Sequence, residues 1–525
     1  MNEIKKLLFS SWIGRYLFKT GIVIHLSILA LAWFPSIVLQ EPLKFFIERV
    51  TNYLYYSGGS ARQRYLGKTL LENFPINNWS EPDINQLSNI RSLDQWVGQG
   101  ASKNIEYTLQ QYDDEIPKQP VLGAFKSTVG HLKLIDNVTD FLKAIKYAKP
   151  GDTIQLMPGD YHLKKKRIGI SVAGFSTAPI TVRASKLGLV KIYFHTWEGF
   201  IVTAPYWVFE NLEIQGRTKG GEHAFHVVGK GSSFVLRNNK ISNFNAIIKV
   251  NGLKHGDKYY YPDYGLIEKN TFFNTTTRRA KSPVNLLNIN SVNKWVVRSN
   301  FISDFSKGYG NYRVSFGAYM KGNSTKGLFE NNLVICENIL LSNTEQRIGL
   351  SFGGGGTDKQ YCRDQVCDAE HTQGVMRNNI ILNCSHDVGI YLNKSKETEI
   401  YNNLIFNSLG IDVRFGSSSA TIYNNIISGR IKSRDGGLYI EENNLIDQDC
   451  LATDRFFSGC SFLNFYWDIV NSNTLLKNGS DILGKGIAAP FKKDFCGNAI
   501  SADNLDIGPI QYSNSLECMA NKFKF

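Results

Sequence analysis

Much of the chain repeats one pattern: a short apolar run, an asparagine pair or near-pair, then a second apolar run. The phrase appears at Val235–Ile241, Leu266–Phe272, Leu328–Val334, Val375–Ile381, Ile400–Ile405, Ile422–Ile427 and Ile440–Ile446, with a further copy around Asn300. The last asparagines of the copies, Asn239 to Asn444, recur every 19 to 32 residues, with one longer step of 47 between Asn332 and Asn379. Periods in this range mark a solenoid, whose units bury their apolar faces only by stacking. The runs are short, rich in β-branched residues and free of helical spacing, so each unit is made of strands. Asparagine tolerates the left-handed backbone of a sharp corner, and stacked carboxamides can form a hydrogen-bonded ladder. The expected fold is all-β, a right-handed parallel β-helix. A β-propeller would need longer, four-stranded blades.

The segment before the repeats differs. Gly21 to Gln40 is uncharged and mostly apolar, and Lys5, Lys6, Arg15 and Lys19 precede it against one acid, Glu3. Its length suits a ~30 Å hydrocarbon core, and the basic flank keeps the N-terminus cytoplasmic. The expectation is a signal anchor in the inner membrane, with the body in the periplasm or outside the cell. Cleavage near Ala32, after Ala30-Leu31-Ala32, is the alternative. The resulting division is 1–40 for the basic segment and transmembrane helix, 41–135 for a small helical and linker region, 136–512 for the β-helix and 513–525 for a tail. Asp140 to Tyr147 reads as an amphipathic helix that caps the open end of the stack.

Charge and cysteines add the partner and the compartment. Of 525 residues, 59 are Lys or Arg and 46 are Asp or Glu, a formal net charge of +13. Such a surface captures anionic partners. No helix-turn-helix, zinc-finger or aromatic single-strand motif is present, so the expected partner is an acidic polysaccharide and not nucleic acid. Eight cysteines suit an exported body. Cys362 with Cys367, Cys450 with Cys460, and Cys496 with Cys518 are close in sequence, while Cys336 and Cys384 follow the corners of consecutive units. Disulfides or buried thiols fit better than zinc, because the Cys-x4-Cys segment has no second pair.

The 47-residue step marks an insertion, roughly Asn343 to Gln373, of the kind that carries binding and catalysis on a rigid stack. It contains Arg347, the run Gly353 to Gly356, Arg363, Asp364, Glu370 and His371. Arg347, Gly354, Gly355, Arg363, Asp364 and His371 are therefore candidates for substrate contact. A surface flap pinned by a small disulfide loop is the bland alternative. Beyond it, charges crowd successive units: His386-Asp387, Lys394, Asp412, Arg414 and Arg434. With Ile411, Val413 and Phe415 filling the interior, Asp412 and Arg414 would face outward. By the same alternation, His223 and His226 would face opposite sides.

Three further segments carry a family likeness. Lys149 to Leu156, Pro158-Gly159-Asp160-Tyr161 and Ala178 to Ala184 resemble the opening rungs of secreted β-helix proteins of the chondroitinase-B and alginate-lyase family. Asp506 to Tyr512 resembles their last strand, so the likeness spans about residues 137 to 512. It implies a polysaccharide lyase in which Lys394, followed by Ser395, is the base and Arg414 on the next coil assists the leaving group. It also implies calcium held by a Glu-x-Glu pair. Here Asp387 and Gly389 stand in those places, which leaves the calcium site incomplete and Asp387 its sole remnant; Arg363 or Arg434 could neutralise the substrate carboxylate instead. His386 with Asp387 is a second way to make a base. No spacing among Asp364, Glu370, Asp387, Asp412 and Asp435 selects a hydrolase pair.

Overall fold

The computed structural model describes residues 130–217, 222–280, 282–308, 314–341, 345–450, 460–462, 466–468, 473–476, 480–497, 499–500 and 505–512. The expected membrane helix at 21–40, most of the 41–135 region and the 513–525 tail lie outside them. Among the described residues no helix is long and apolar enough to cross a membrane.

Each coil supplies one strand to each of three parallel sheets, of twelve, eleven and ten strands. The interior is built from in-register apolar ladders. One runs Ile154, Val182, Phe209, Leu236, Ile267, Val297, Phe329, Met376, Ile400, Ile422 from coil to coil, and every member is fully buried. Stacking like on like fills a tube of constant cross-section, which is why the pattern repeats.

The asparagine pairs divide their work. The first residue of each corner adopts left-handed backbone: φ is 53° at Asn238, 54° at Asn331, 53° at Asn378 and 52° at Asn402, with Lys269 and Ser299 in that role where the first asparagine is missing. The second residue builds the ladder. The Oδ1 of Asn379 accepts from the backbone N (3.0 Å) and Nδ2 (2.9 Å) of Asn332, while its Nδ2 reaches Phe329 O and Asn403 Oδ1, both at 2.9 Å.

The stack begins slightly earlier than expected, because Leu132–Ile135 already pairs with Thr153–Leu156. Helix α1 (Val138–Lys146), N-capped by Asn137, covers the first coil with Phe141, Ala144 and Ile145. The far end is a correction. Residues 506–512 form no rung; the last coil strands are Leu438–Glu442 and Leu445–Asp447. The C-terminal chain instead runs back along the corners, where Asn378, Asn402, Asn424 and Asn443 donate to the carbonyls of Lys493, Gly508, Ile487 and Lys485.

This packing settles two of the three outer faces. The eleven-stranded sheet turns apolar residues such as Ile380, Leu404 and Ile426 outward, and Phe462, Ile482, Phe495 and Ile510 cover them. The twelve-stranded sheet carries an alternating row, Arg183, Glu210, Arg237, Glu268, Arg298, Glu330, Arg377, with ion pairs such as Arg237–Glu210 and Arg377–Glu330 at 2.7 Å. The ten-stranded sheet carries the groove.

All described cysteines are disulfide-bonded. Cys336–Cys384 ties adjacent coils, and Cys362–Cys367 and Cys450–Cys460 close short loops.

Candidate functional site

The strands of the ten-stranded sheet bend, so that two consecutive residues point inward where strict alternation allows one. In the strand His223–Val228, Ala224 and Phe225 are both fully buried, which puts His223 and His226 on one side, with their rings 5.5 Å apart. This overturns the expectation of opposite faces. The same three-residue step recurs in the following strands and lays out parallel rows on the outer face. An apolar row holds Phe316, Ile348 and Val388, and a middle row holds Tyr319, Ser351, Tyr391, Asp412 and Lys432. The third row holds Asn393, Arg414 and Arg434, with Lys321 at the end of its strand two residues beyond Tyr319.

These rows floor a groove of about 1290 Å³, whose lining includes seven Lys or Arg side chains against four Asp or Glu. Lys394, Arg414, Asp412, Arg434, Asp387, Gly354 and Gly355 all line it. Arg414 pairs with Asp435 (2.6 Å) and donates to the Tyr391 hydroxyl (3.3 Å), and its guanidinium lies 4.4 Å from the Phe415 ring centre. Phe415 was expected inside; its backbone is left-handed (φ 71°) and it lines the groove instead. The hydrogen bonds to Tyr391 and Asp435 hold Arg414 protonated even more firmly than a free guanidinium. Arg434 forms an ion pair with Asp412 and lies over the Tyr391 ring. Asn393 also donates to the Tyr391 hydroxyl, at 2.9 Å.

Lys394 occupies the corner after Asn393 with φ 55°. Its backbone carbonyl accepts from the N–H of Glu370 at 2.8 Å, so the insertion is stitched directly to this corner. Gly353 explains the closeness: a Cβ there would lie 1.8 Å from the Asn393 carbonyl oxygen. The Glu370 carboxylate accepts from Gly354 N at 3.1 Å. Burial raises its pKa, against the pull of Lys321, the Gly354 and Gly355 amides and Lys394. Lys321 donates to Gly355 O at 2.8 Å, and burial lowers its pKa. Asp387 is raised by burial, with the charge of Asp412 adding and Arg434 opposing.

The other candidates do not line the groove. Arg347 is buried and donates to the carbonyls of Cys336 and Leu340 and to Glu345 (3.0 Å). Arg363 forks onto Asp263 at 2.6 and 2.8 Å and lies over Tyr261, tying the insertion to the neighbouring coils. Asp364 caps a turn by accepting from the N–H groups of Val366 and Cys367. His371 is fully buried, stacked 3.9 Å from Phe352, with a pKa lowered by burial to about 3. Each is held by these contacts away from the groove lining. His386 sits half-buried in the turn after Cys384, outside the groove lining.

Calcium does not fit around Asp387. Its neighbour Asp412 faces Arg434, and calcium needs six or more oxygen ligands. Among the described residues the one convergent group of three acid, His or Cys ligands is Asp447, Cys450 and Cys460, whose cysteines form a disulfide. Sequence reading missed Tyr391, Asn393 and Lys321; the signal was a row of polar residues in register from coil to coil, Asn288, Tyr319, Ser351 and Tyr391.

No family model matches the chain, and no curated protein matches it. Among solved structures it is similar to pectate lyase Pel9A, at 15% identity and a TM-score of 0.44 over 73% of this chain and 97% of that one. A family 6 polysaccharide lyase of Pseudopedobacter saltans gives 14% identity and a TM-score of 0.33, over 72% and 98%. An alpha-1,3-glucanase of Streptomyces thermodiastaticus gives 12% and 0.35, over 59% and 66%. These likenesses concern the fold alone. The chain is a parallel β-helix by its own strand register.

Proposed function

We propose that this protein binds an acidic polysaccharide along the groove and cleaves it by β-elimination, outside the cytoplasm. One observation carries the reading: Lys394 and Arg414 line one groove from adjacent coils, where the Lys394 N–H meets the Arg414 carbonyl, and the cations of that groove outnumber its acids. Removing the proton beside a uronate carboxylate leaves enolate-like charge that fixed cations stabilise. Lys394 takes that proton, and Arg414 and Arg434 offer planar forks for the carboxylate. The disulfides support an oxidising compartment. Incubating the full chain with alginate, pectate and glycosaminoglycans tests the reading through the absorbance of the new C4–C5 double bond. Lys394→Ala should abolish that signal while polymer binding stays within a few-fold. Changed sugar stereochemistry without absorbance would favour an epimerase, and retention of intact polymer a binding module.

A second reading rests on Asp387 and Asp412. A carboxyl with raised pKa beside a second, ion-paired carboxylate is the arrangement glycoside hydrolysis uses. New reducing ends without unsaturation, lost in Asp387→Asn and retained in Lys394→Ala, would decide for it.

A further inference from the structure

Elimination at a uronate needs a proton removed from C5 and a proton delivered to the oxygen that leaves C4. Lys394 serves the first. Arg414 cannot serve the second, because a guanidinium does not give up its proton in proteins, and this one is engaged with Asp435 and Tyr391. Among the described residues that line the groove, the hydroxyl bonded to the Arg414 guanidinium is that of Tyr391. Its oxygen accepts from Asn393 Nδ2 (2.9 Å) and Arg414 Nη1 (3.3 Å). Both partners donate, so the phenol's own proton is committed to neither. Its ring is locked: only 6% of the residue is exposed, and the neighbouring rungs place Ser351 and Asp412 on either side. The two donors that converge on the oxygen are those that would hold it after its proton has left.

We propose that Tyr391 is the general acid of the reaction, protonating the leaving glycosidic oxygen. The assignment rests on the β-elimination reading. Lys394 takes the C5 proton, and the C5–H electron pair forms the C4–C5 double bond. The C4–O bond breaks, and its oxygen takes the Tyr391 proton. The phenolate remains under the N–H groups of Asn393 and Arg414 until solvent returns a proton to it and removes one from Lys394. Beyond its fork toward the carboxylate, Arg414 then positions the phenol and stabilises its anion.

Leaving-group chemistry tests this directly. Tyr391→Phe keeps the ring and loses the proton. On a uronan it should lower kcat by roughly 10²–10⁴-fold, the range for general acid catalysis. On a uronide whose C4 leaving group is 4-nitrophenolate, which departs without protonation, the same variant should stay within tenfold of wild type. Lys394→Ala should fail on both. Equal losses of Tyr391→Phe on the two substrates, or none on the polymer, overturn the assignment. Wild-type protein that yields no unsaturated product sinks the elimination reading and Tyr391 with it. Unsaturated product from wild type and from Tyr391→Phe alike sinks Tyr391 alone. Asn393→Asp gives an independent readout should Tyr391→Phe melt. A carboxylate beside the phenol makes it a weaker acid, so the alkaline limb of kcat on the polymer should move to higher pH; an unmoved limb counts against the proposal.

Discussion

The division of labour within each asparagine pair predicts opposite responses from two adjacent residues. Asn379 is fully buried, and its carboxamide makes four hydrogen bonds that connect three coils, to Asn332 N, Asn332 Nδ2, Phe329 O and Asn403 Oδ1. Asn379→Ala strands the buried Asn332 N–H, at about 1–3 kcal/mol, and removes three further bonds worth about 0.5–1.5 kcal/mol each. The expected loss is about 3–5 kcal/mol after local relaxation, and glycine should do no better than alanine. Asn378 is different. Its carboxamide holds the Lys493 carbonyl (3.0 Å), but its main property is φ 53°. Glycine removes the left-handed penalty of about 1–2 kcal/mol while losing one bond, so Asn378→Gly should fall within about 1 kcal/mol of wild type. Asn378→Ala keeps the backbone penalty and should be clearly worse than Asn378→Gly. Urea titration of the full chain, followed by hydrogen exchange across 328–335 and 375–382, measures both. Equal losses at the two positions, or recovery of Asn379 by glycine, would refute the division.

Three further outcomes are expected. His371 has a folded pKa depressed from 6.5 to about 3, so its contribution is present above pH 6.5 and lost as pH falls from there toward 3. The slope is about 1.4 kcal/mol per pH unit. His371→Gln should be the weaker protein at pH 8 and lose that disadvantage by pH 4, read from urea midpoints. Replacing Cys336 and Cys384 by alanine removes a link across 48 residues, and the unfolding free energy should drop by about 3–4 kcal/mol. Arg414→Lys should lose most turnover on an acidic polymer, because lysine cannot fork onto a carboxylate and hold Tyr391 together; steady-state kinetics with unchanged melting checks it.

The stack was legible because its determinants are local and repeated. Each corner needs a left-handed residue followed by a buried carboxamide, and each rung needs apolar residues at fixed offsets from it, so Asn239 to Asn444 announce the coils directly. Helix α1 was legible for the same reason, with its cap and apolar face inside one short segment. The site was only half legible. Lys394, Arg414, Asp412 and Arg434 stood out as charges at rung spacing. Arg363 stood out equally, yet its partner Asp263 is 100 residues away, and no local pattern reveals that its charge is already spent. His371 stood out as a substrate-contact candidate, yet it is fully buried and stacked on Phe352. Asp506 to Tyr512 looked like a rung because its apolar residues do meet the stack, but from outside.

The bend in the ten-stranded sheet explains why alternation put His223 and His226 on opposite faces. Strict alternation gives a strand two faces, and it assigns His223 and His226 to different ones. A three-residue step instead sends polar side chains outward at positions that alternation would send to the core. Tyr319 and Tyr391 each lie between two fully buried neighbours, Ala318 with Met320 and Ile390 with Leu392, so alternation already turns them outward onto the groove floor. The bend has a functional consequence as well. It turns three rows of outward residues toward one concavity, with an apolar row on one side and Asn393, Arg414 and Arg434 on the other. The other two outer faces are committed, one to the C-terminal chain and one to the Arg–Glu row. A polymer chain laid across the coils would meet the same graded floor at each rung of about 4.8 Å. The proton chemistry would be confined to the rungs where Tyr391, Lys394 and Arg414 coincide.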